Sequence, residues 1–272
     1  MSNHLPVDEY PILEFDGPLA TITFNRPHKF NAFHLEQVPI LRDQLVEVEQ
    51  NPDVRCLLFK GNGKHFMAGG DMSSVLSYDE MTPAQRMQNG EGPPVAYMHI
   101  ARIMTRLRVP IVASVQGAVA GAGVGFLGAC DLVIASESSF YWVAHILHAG
   151  SNDGLVSYFL PRLVGHRKAL ELALLGDKIS GQEAKDIGLV NWVVADDQLE
   201  AETSKLVERL VTGPTLAMGL IKRLYHESWH NSLPEQGMLE GELYGRFAMP
   251  SEDAHEGLKA FFEKRSPQFQ GR

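Results

Sequence analysis

An aspartate set among small residues is the first feature of this 272-residue sequence that could perform chemistry. Asp153 lies in the stretch HAGSNDG, residues 148–154, which follows the hydrophobic run SSFYWVAHIL. His145 and His148 precede it by a few residues. A carboxylate can act as a general acid or base or as a nucleophile, and together with two histidines it could bind a metal ion. The same residue types also form turns and helix caps.

Two glycine-rich segments offer backbone N–H groups to a ligand. Residues 121–128 include GVGFLG, a match to the GxGxxG pattern, but the acid that a dinucleotide site needs about 20 residues later is missing from VAHILHAG. We therefore interpret this segment as a helix start that a ligand approaches. Residues 66–71, FMAGGD, form a second loop of this kind. N–H groups from two loops can form an oxyanion hole, although either segment alone could be a tight turn.

The elements that must position these residues alternate between strand and helix. Short β-rich runs include LATITF, VRCLLF, PIVASV and CDLVIAS, and a segment with helical spacing, residues 33–50, follows the first of them. Strands that alternate with helices predict an α/β fold with largely parallel pairing. Cys56 and Cys130 lie within two of the runs, which indicates buried thiols rather than a disulfide or a metal site.

From Gly165 onward the sequence becomes helical. HRKALELALLG has helical spacing and a glycine stop, and residues 180–183 form a capping box that begins a further helix. Residues 199–269 are almost entirely amphipathic. We therefore predict an α/β core at residues 1–195 and a helical C-terminal region at residues 196–272.

Charge and hydropathy argue against several classes of partner. Lys and Arg total 24 against 33 for Asp and Glu, so a net charge of −9 offers no basic surface to nucleic acid or to an anionic membrane. The stretch MSNHLPVDEYP lacks the apolar core of a signal peptide, and no apolar run reaches the ~20 residues of a membrane span. We expect a cytoplasmic protein. Residues 73–94 are polar and contain prolines, and they could be a lid over the site or an ordinary surface loop.

Five sequence motifs, in order over nearly the whole chain, carry a resemblance to a known family. They are NRPHKFNAF (25–33), GNGKHFMAGGDM (61–72), VPIVASVQGAVAGAGVGFLGACDLVIASESSFYW (109–142), LPRLVGHRKALELALLGDKISGQEAKDIGLVNWVV (160–194) and EGLKAFFEKRSPQF (256–269). These motifs resemble the crotonase (enoyl-CoA hydratase/isomerase) family. The resemblance implies a spiral core of repeated ββα units and a helical C-terminal region that forms a homotrimer, often doubled to a hexamer. It also implies an acyl-CoA thioester substrate and no metal or redox cofactor.

The resemblance assigns roles to residues within these motifs. Backbone N–H groups of Gly70 and Ala122 would hold the thioester oxygen. The residues that would contact the substrate and its CoA group are Lys29, Ala32, Ala68, Asp71, Gly121, Phe262 and Lys264. Phe262 and Lys264 resemble residues that cover the nucleotide end. Lys29 and Lys264 could instead be solvated surface charges, and Phe262 could simply pack along its helix.

The chain departs from the family at both positions where the hydratases carry a glutamate. The first position is Gly125, and the second falls on His145 or on Ala144, depending on which neighbouring motif anchors the comparison. We therefore do not expect hydration by paired carboxylates. Asp153 lies where some members of the family carry a different catalytic carboxylate.

Three subgroups of the family carry a carboxylate at that place. In dienoyl-CoA isomerases it shuttles a proton. In 4-chlorobenzoyl-CoA dehalogenase it is a nucleophile, and that enzyme resembles HAGSNDGLVSYFLPRLVG closely, but it has tryptophan at His145 and a histidine near Met98. In 6-oxocamphor hydrolase a histidine and an aspartate pair as His145 and Asp153 could, whereas its other histidine falls at about Ala122.

We predict that the chain isomerises an unsaturated acyl-CoA through an enolate held at Gly70 and Ala122. Asp153 would transfer the proton, because one carboxylate can move a proton from one carbon to another. One alternative is a hydrolase or dehalogenase that uses His145 with Asp153, and another is a catalytically silent protein that binds CoA esters. His145 could also be an ordinary core histidine, and a metal site at His145, His148 and Asp153 is a further alternative.

Overall fold

Two β-sheets form the centre of the computed structural model, which describes residues 5–73, 82 and 93–272. The larger sheet is parallel except for its first hairpin, and the smaller sheet is mixed. In chain order the strands are β1 (Ile12–Asp16), β2 (Leu19–Phe24), β3 (Cys56–Gly61), β4 (Ile111–Val115), β5 (Ala118–Ala120), β6 (Leu132–Ser136), β7 (Phe140–Trp142), β8 (Lys178–Ser180) and β9 (Trp192–Val194). The larger sheet has the order β1-β2-β3-β4-β6-β9, and the smaller has the order β5-β7-β8. The predicted α/β fold with largely parallel pairing is confirmed.

Helices fill the connections and make up most of the chain after residue 198. They are α1 (Gln37–Gln50), α2 (Pro93–Arg106), α3 (Ala122–Gly128), α4 (Val156–Val164), α5 (His166–Leu175), α6 (Gly181–Asp186), α7 (Leu199–Val211), α8 (Thr215–Glu227), α9 (Leu233–Glu242) and α10 (Glu252–Glu263). The predicted capping box begins α6, since Ser180 Oγ accepts from Glu183 N–H and the Glu183 carboxylate accepts from Ser180 N–H. Gly176, in the left-handed conformation, ends α5 as predicted.

A repeated ββα unit builds the core. Strand β4 leads through a two-residue turn into β5 and then α3, and β6 leads into β7, a 3₁₀ helix at Ala144–His148, and then α4. The first strand of each unit joins the larger sheet and the second joins the smaller one. This arrangement confirms the crotonase-type spiral. The strands of the smaller sheet span only three residues each, too few for a recognisable sequence period.

Apolar side chains cover both faces of the larger sheet. On one face Phe24, Phe59, Phe66 and Phe126 pack with ring centroids 5.0 to 5.8 Å apart. On the other face, α7 packs against side chains that point to this side of β3, β4 and β6. The cluster comprises Cys56, Leu58, Val112 and Ile134 from the strands and Val207, Leu210 and Val211 from α7. Because α7 lies beyond residue 195, the C-terminal region completes the core of the sheet. The division into 1–195 and 196–272 stays a prediction.

The two cysteines are free thiols, and Cys56 is fully buried. Burial raises the pKa of the Cys56 thiol to about 12, so that it remains protonated. Within the described ranges no helix combines the length and apolar character needed to cross a membrane. Most of residues 73–94, the predicted lid or loop, lies outside the described residues.

Buried Arg26 fixes the loop that follows β2. This arginine is only 4% exposed. Its Nε donates to Glu9 Oε2 at 2.6 Å, and its Nη1 donates to Asp71 Oδ2 at 2.9 Å and to the carbonyl of Ala32 at 2.7 Å. One guanidinium therefore joins the N-terminal segment, the loop after β2 and the loop that contains Gly70.

Replacing Arg26 with glutamine should lower the free energy of unfolding by about 3 kcal/mol, because two largely buried carboxylates would lose their cationic partner. Urea denaturation at a fixed protein concentration measures the change. The matched control is Arg42→Gln, since Arg42 pairs with Asp43 at the surface, where ion pairs contribute little. Equal effects from the two substitutions would show that Arg26 is not a structural link.

Candidate active site

The loop at residues 66–71 leaves the N–H of Gly70 without a backbone partner. Phe33 pairs with this loop in parallel fashion, since Phe33 N–H donates to Gly69 O at 2.7 Å and Asp71 N–H donates to Phe33 O at 2.9 Å. Those bonds use the carbonyl of Gly69 and the N–H of Asp71, so the N–H of Gly70 faces the opposite side of the loop. Gly69 has a φ of +91°, and a Cβ there would lie 2.7 Å from Ala120 O and 3.3 Å from Ala122 N. Only glycine permits this approach.

The second N–H belongs to Ala122, the first residue of α3. A residue at this helix position has no intrahelical acceptor for its N–H. In the described part of the chain, neither Ala122 N–H nor Gly70 N–H is hydrogen-bonded. The two loops that carry these groups are in contact through Gly69. This is the arrangement expected of an oxyanion hole, and that role stays a prediction.

The segment that carries Asp153 lies directly over α3. Gly154 packs so closely that a Cβ on it would overlap the Cβ of Ala122. A Cβ on Gly125 would in turn overlap the carbonyl oxygen of Gly154. No side chain therefore fits at residue 125, and Asp153 is held next to the residue whose N–H is free.

Asp153 and His145 form a hydrogen-bonded pair. His145 Nε2 lies 2.8 Å from Asp153 Oδ1, and 3.9 Å from the position of a Cβ on Gly121. The His145 side chain is 7% exposed, whereas that of Asp153 is 41% exposed. His148 is exposed, with its ring centroid 6.2 Å from that of His145. Among the described residues, no group of three or more His, Cys, Asp and Glu side chains is arranged to hold a metal ion.

The second ring nitrogen of His145 indicates which tautomer the site favours. Nδ1 is buried and has no hydrogen-bond partner within the described structure. A proton on Nδ1 would therefore be a buried donor without an acceptor, which is costly. When the proton is on Nε2, it is donated to the Asp153 carboxylate and the bond is satisfied. The geometry thus makes His145 a donor to Asp153.

The predicted CoA contacts fall into two groups. Ala32, Ala68 and Asp71 lie in the paired loops around Phe33, and exposed Lys29 precedes them at the end of a 3₁₀ helix. Burial alone would raise the pKa of Asp71, but hydrogen bonds from Ser73 and Arg26 outweigh it and hold this pKa below its usual value. The Asp71 side chain is therefore committed to the loop itself.

The other group lies elsewhere in the chain. Phe262 is exposed in α10, and Lys264 is exposed directly after it in the left-handed conformation. Gly121 begins the second glycine segment, and a Cβ on it would lie 3.9 Å from Gly69 Cα and 3.9 Å from His145 Nε2. The roles of Gly121, Phe262 and Lys264 toward CoA stay predictions.

Sequence reasoning missed Arg26 and Tyr97. Tyr97 is 7% exposed on α2, and its Oη lies 3.6 Å from the position of a Cβ on Gly70. Burial, followed by the carboxylates of Asp153 and Asp71, raises the pKa of its phenol. The available signal was a single hydroxyl on an otherwise apolar helix face that includes Ile100, Ala101 and Met104.

Comparisons with known proteins agree with this architecture. The family model described as enoyl-CoA hydratase/isomerase matches residues 14–272. The chain is 36% identical over 270 residues to the 1,2-epoxyphenylacetyl-CoA isomerase of Escherichia coli (strain K12), which covers 97% of this chain and 99% of the relative. It is 29% identical over 227 residues to 4-chlorobenzoyl coenzyme A dehalogenase-2 of Arthrobacter sp, which covers 83% of this chain and 81% of the relative.

A solved structure extends the likeness to the fold. The crystal structure of an enoyl-CoA hydratase from Polaromonas sp. JS666 matches with a TM-score of 0.88 at 28% identity, covering 96% of this chain and 100% of that one. The resemblance carried by the five sequence motifs is thereby confirmed. The family model matches residues 14–272, and the solved structure shares the fold of this chain. This chain therefore belongs to the enoyl-CoA hydratase/isomerase (crotonase) family.

Proposed function

We propose that this chain isomerises an unsaturated acyl-CoA thioester. The observation that carries the proposal is one partly exposed carboxylate, Asp153, bound to buried His145 and packed beside the free N–H of Ala122. The family acts on acyl-CoA thioesters, which supports the substrate class. The Escherichia coli relative is itself named an isomerase, which supports the reaction type.

The reaction needs one base and one site for negative charge. The thioester oxygen accepts hydrogen bonds from the N–H groups of Gly70 and Ala122. Asp153 removes a proton from a carbon of the acyl chain, and the electron pair of the broken C–H bond passes into the thioester carbonyl to give an enolate. The new O–H of Asp153 then returns the proton to another carbon, so the double bond moves and no atom is gained or lost. Each backbone donor at the developing charge lowers the barrier by about 3 kcal/mol.

His145 acts through Asp153 in this proposal. Its Nε2–H occupies Oδ1 of the carboxylate, which leaves Oδ2 as the oxygen that takes the proton. The buried ring has no freedom to reach the substrate by itself, since its Nδ1 is enclosed. His145 is therefore a positioning residue that orients the base.

The absence of side-chain space at Gly125 supports isomerisation over hydration. Family resemblance puts a hydratase glutamate at this position, and here the carbonyl oxygen of Gly154 occupies the space that its Cβ would need. The second glutamate position corresponds to His145 or Ala144, and neither is a carboxylate. The two carboxylates that would activate water in hydration are therefore both missing from these positions.

A nucleophilic reaction is the second candidate, and the Asp153–His145 pair is what favours it. In that reaction an oxygen of Asp153 would form a bond to a carbon of the acyl group as a leaving group, such as the chloride of a chloroaryl thioester, departs with its bonding electrons, and water would then hydrolyse the covalent intermediate. The likeness to 4-chlorobenzoyl coenzyme A dehalogenase-2 supports this alternative. Mass spectrometry of the intact protein during turnover separates the two, because only the nucleophilic route adds mass to the chain.

We also propose that the chain assembles into a homotrimer or a hexamer. Helices α8 to α10 and the π-helix at Leu243–Ala248 expose large apolar side chains that include Ile221, Tyr225, Leu233, Met238, Tyr244, Phe247, Leu258, Phe261 and Phe262. Apolar side chains concentrated in one region in this way mark protein–protein contact surfaces.

Replacing Gly70 with proline should lower turnover by roughly 10²-fold or more, because it removes one donor from the oxyanion hole. Gly70→Ala is the matched control: it keeps the N–H, and its Cβ would lie at an ordinary contact distance of 3.6 Å from Tyr97 Oη. The assay is incorporation of solvent deuterium into a panel of saturated, unsaturated and aromatic acyl-CoA thioesters, measured by mass spectrometry. Full activity in a folded Gly70→Pro protein would contradict the oxyanion hole.

Asp153→Asn should reduce turnover by about 10²-fold or more while acyl-CoA binding persists, because the amide keeps the size of the side chain but is not a base. Isomerisation does not change mass, so the direct measurement is incorporation of solvent deuterium into the acyl chain, which should be lost in parallel. Asp43→Asn, a change to an exposed carboxylate, serves as the control. Deuterium incorporation that survives in Asp153→Asn would rule out Asp153 as the base.

Sedimentation equilibrium at micromolar concentration should give three or six times the chain mass of 30.1 kDa. Replacing Phe261 with glutamate should shift this distribution toward smaller species, because a charge would have to be buried in the contact. A stable monomer of the unmodified chain would refute the assembly.

A further inference from the structure

A cavity of about 870 Å³ lies between α2, α4 and α8. Its apolar lining includes Ala101, Leu155, Phe159, Leu216, Leu220 and Trp229. The proposed base Asp153 and the N–H groups of Gly70 and Ala122 are not part of the lining, so the cavity lies outside the candidate active site. Ligand pockets in proteins are mostly apolar and span about 300 to 1,000 Å³, so this cavity has the size of a site for a small organic molecule.

Four arginines add positive charge to this apolar lining. Arg102 and Arg106 belong to α2, and Arg108 follows that helix. Arg223 belongs to α8. Glu227 is the one acidic side chain among the lining residues that the structure describes. The cavity is therefore positively charged within a chain whose net charge is −9.

Three of these arginines have no partner in the described part of the chain. Arg108 donates to the carbonyl of Asn51 at 2.6 Å, so the fold already uses its guanidinium. Arg102, Arg106 and Arg223 are exposed, and their guanidinium groups form no ion pair or hydrogen bond with any residue that the structure describes. Like charges four residues apart on a helix repel each other, as those of Arg102 and Arg106 do. A negatively charged ligand would offset this repulsion.

Helix α2 separates the apolar and the charged parts of the lining. Its lining residues are Met98, Ala101, Arg102, Thr105 and Arg106, which are spaced by three and four and therefore share one face of the helix. Met98 and Arg106 are about 12 Å apart along the axis, at a rise of 1.5 Å per residue. A ligand that lies along this face would place an apolar body beside Met98 and Ala101 and a charged head beside Arg106.

We propose that this cavity binds an anionic amphiphile, a free fatty carboxylate whose head contacts the arginines and whose alkyl chain contacts the apolar lining. Arginine suits the head, because its planar guanidinium can donate two hydrogen bonds to one carboxylate. The ligand is distinct from an acyl-CoA substrate, whose thioester would have to reach the N–H groups of Gly70 and Ala122. The inference therefore does not depend on the proposed function.

Decanoate and decanol test the proposal, because they share an alkyl chain and differ in the head group. In calorimetric titrations of the full chain, we expect decanoate to bind at least about tenfold more tightly than decanol, because hydrogen bonds between charged groups are the stronger ones. Saturating butyryl-CoA should leave the affinity for decanoate unchanged, because the two ligands would occupy separate sites.

Substitutions within the lining should change the affinity in opposite directions. Arg106→Gln and Arg223→Gln should each weaken decanoate binding by about tenfold and leave decanol binding unchanged, because only the anion uses the guanidinium. Glu227→Gln should strengthen decanoate binding, because it removes the acidic side chain of the described lining. The matched control is Arg209→Gln, a change to an exposed arginine of α7 that does not line the cavity. It should have no effect on either ligand.

Four results would overturn the proposal. Equal affinities for decanoate and decanol would show that the arginines do not select an anion. Decanoate binding that survives both arginine substitutions would place the ligand elsewhere on the chain. Competition by butyryl-CoA would place decanoate in the acyl-CoA site. Absence of decanoate binding, together with a change of mass in sedimentation equilibrium for Arg106→Gln, would show that the cavity is a contact between copies of this chain.

Discussion

The close approach of two backbone segments at Gly125 and Gly154 is the constraint on which the candidate site depends. A Cβ on either residue would overlap atoms of the other segment, so both positions require glycine. This contact sets the distance between α3 and the segment that carries Asp153. It also leaves no room for a side chain at residue 125. The contact that holds Asp153 close to α3 thus leaves no space for a carboxylate side chain at residue 125.

The backbone and the side chains of the candidate site have separate roles in the proposed reaction. In the proposed oxyanion hole, the N–H groups of Gly70 and Ala122 have positions fixed by sheet pairing and by a helix start, so they would stabilise negative charge without the movement of any side chain. Asp153 is partly exposed, and buried His145 holds it through one hydrogen bond. In the proposed reaction, preorganised donors and one oriented base would be sufficient for moving a proton along an acyl chain.

The sequence predicted those elements whose formation depends on residues close to one another in the chain. The apolar runs of β2, β3, β4 and β6, the capping box at Ser180 and the glycine stop of α5 each depend on residues within a few positions. Strand β7 lies in the run SSFYWVAHIL, which indicated a buried strand, whereas the three-residue strands β5 and β8 depend on pairing with distant segments, and the sequence did not reveal them. The placement of the Asp153 segment beside Ala122 was predicted from family resemblance rather than from spacing. Tyr97 was missed because its importance arises from a contact between α2 and a loop far from it in sequence.

The surroundings of two aspartates near the loops distinguish a structural carboxylate, Asp71, from the one that we propose as the base, Asp153. Asp71 is buried, and hydrogen bonds from Ser73 and Arg26 keep its pKa low despite the cost of burial, so it remains ionised and committed to its partners. Asp153 is partly exposed, and among the described residues only His145 is hydrogen-bonded to its carboxylate, through Oδ1. Both oxygens of Asp71 accept hydrogen bonds, so protonation would weaken the loop that it supports, whereas Oδ2 of Asp153 has no hydrogen-bond partner in the described part of the chain. Residue type alone does not distinguish the two, and the difference lies in how many of their lone pairs the fold has already used.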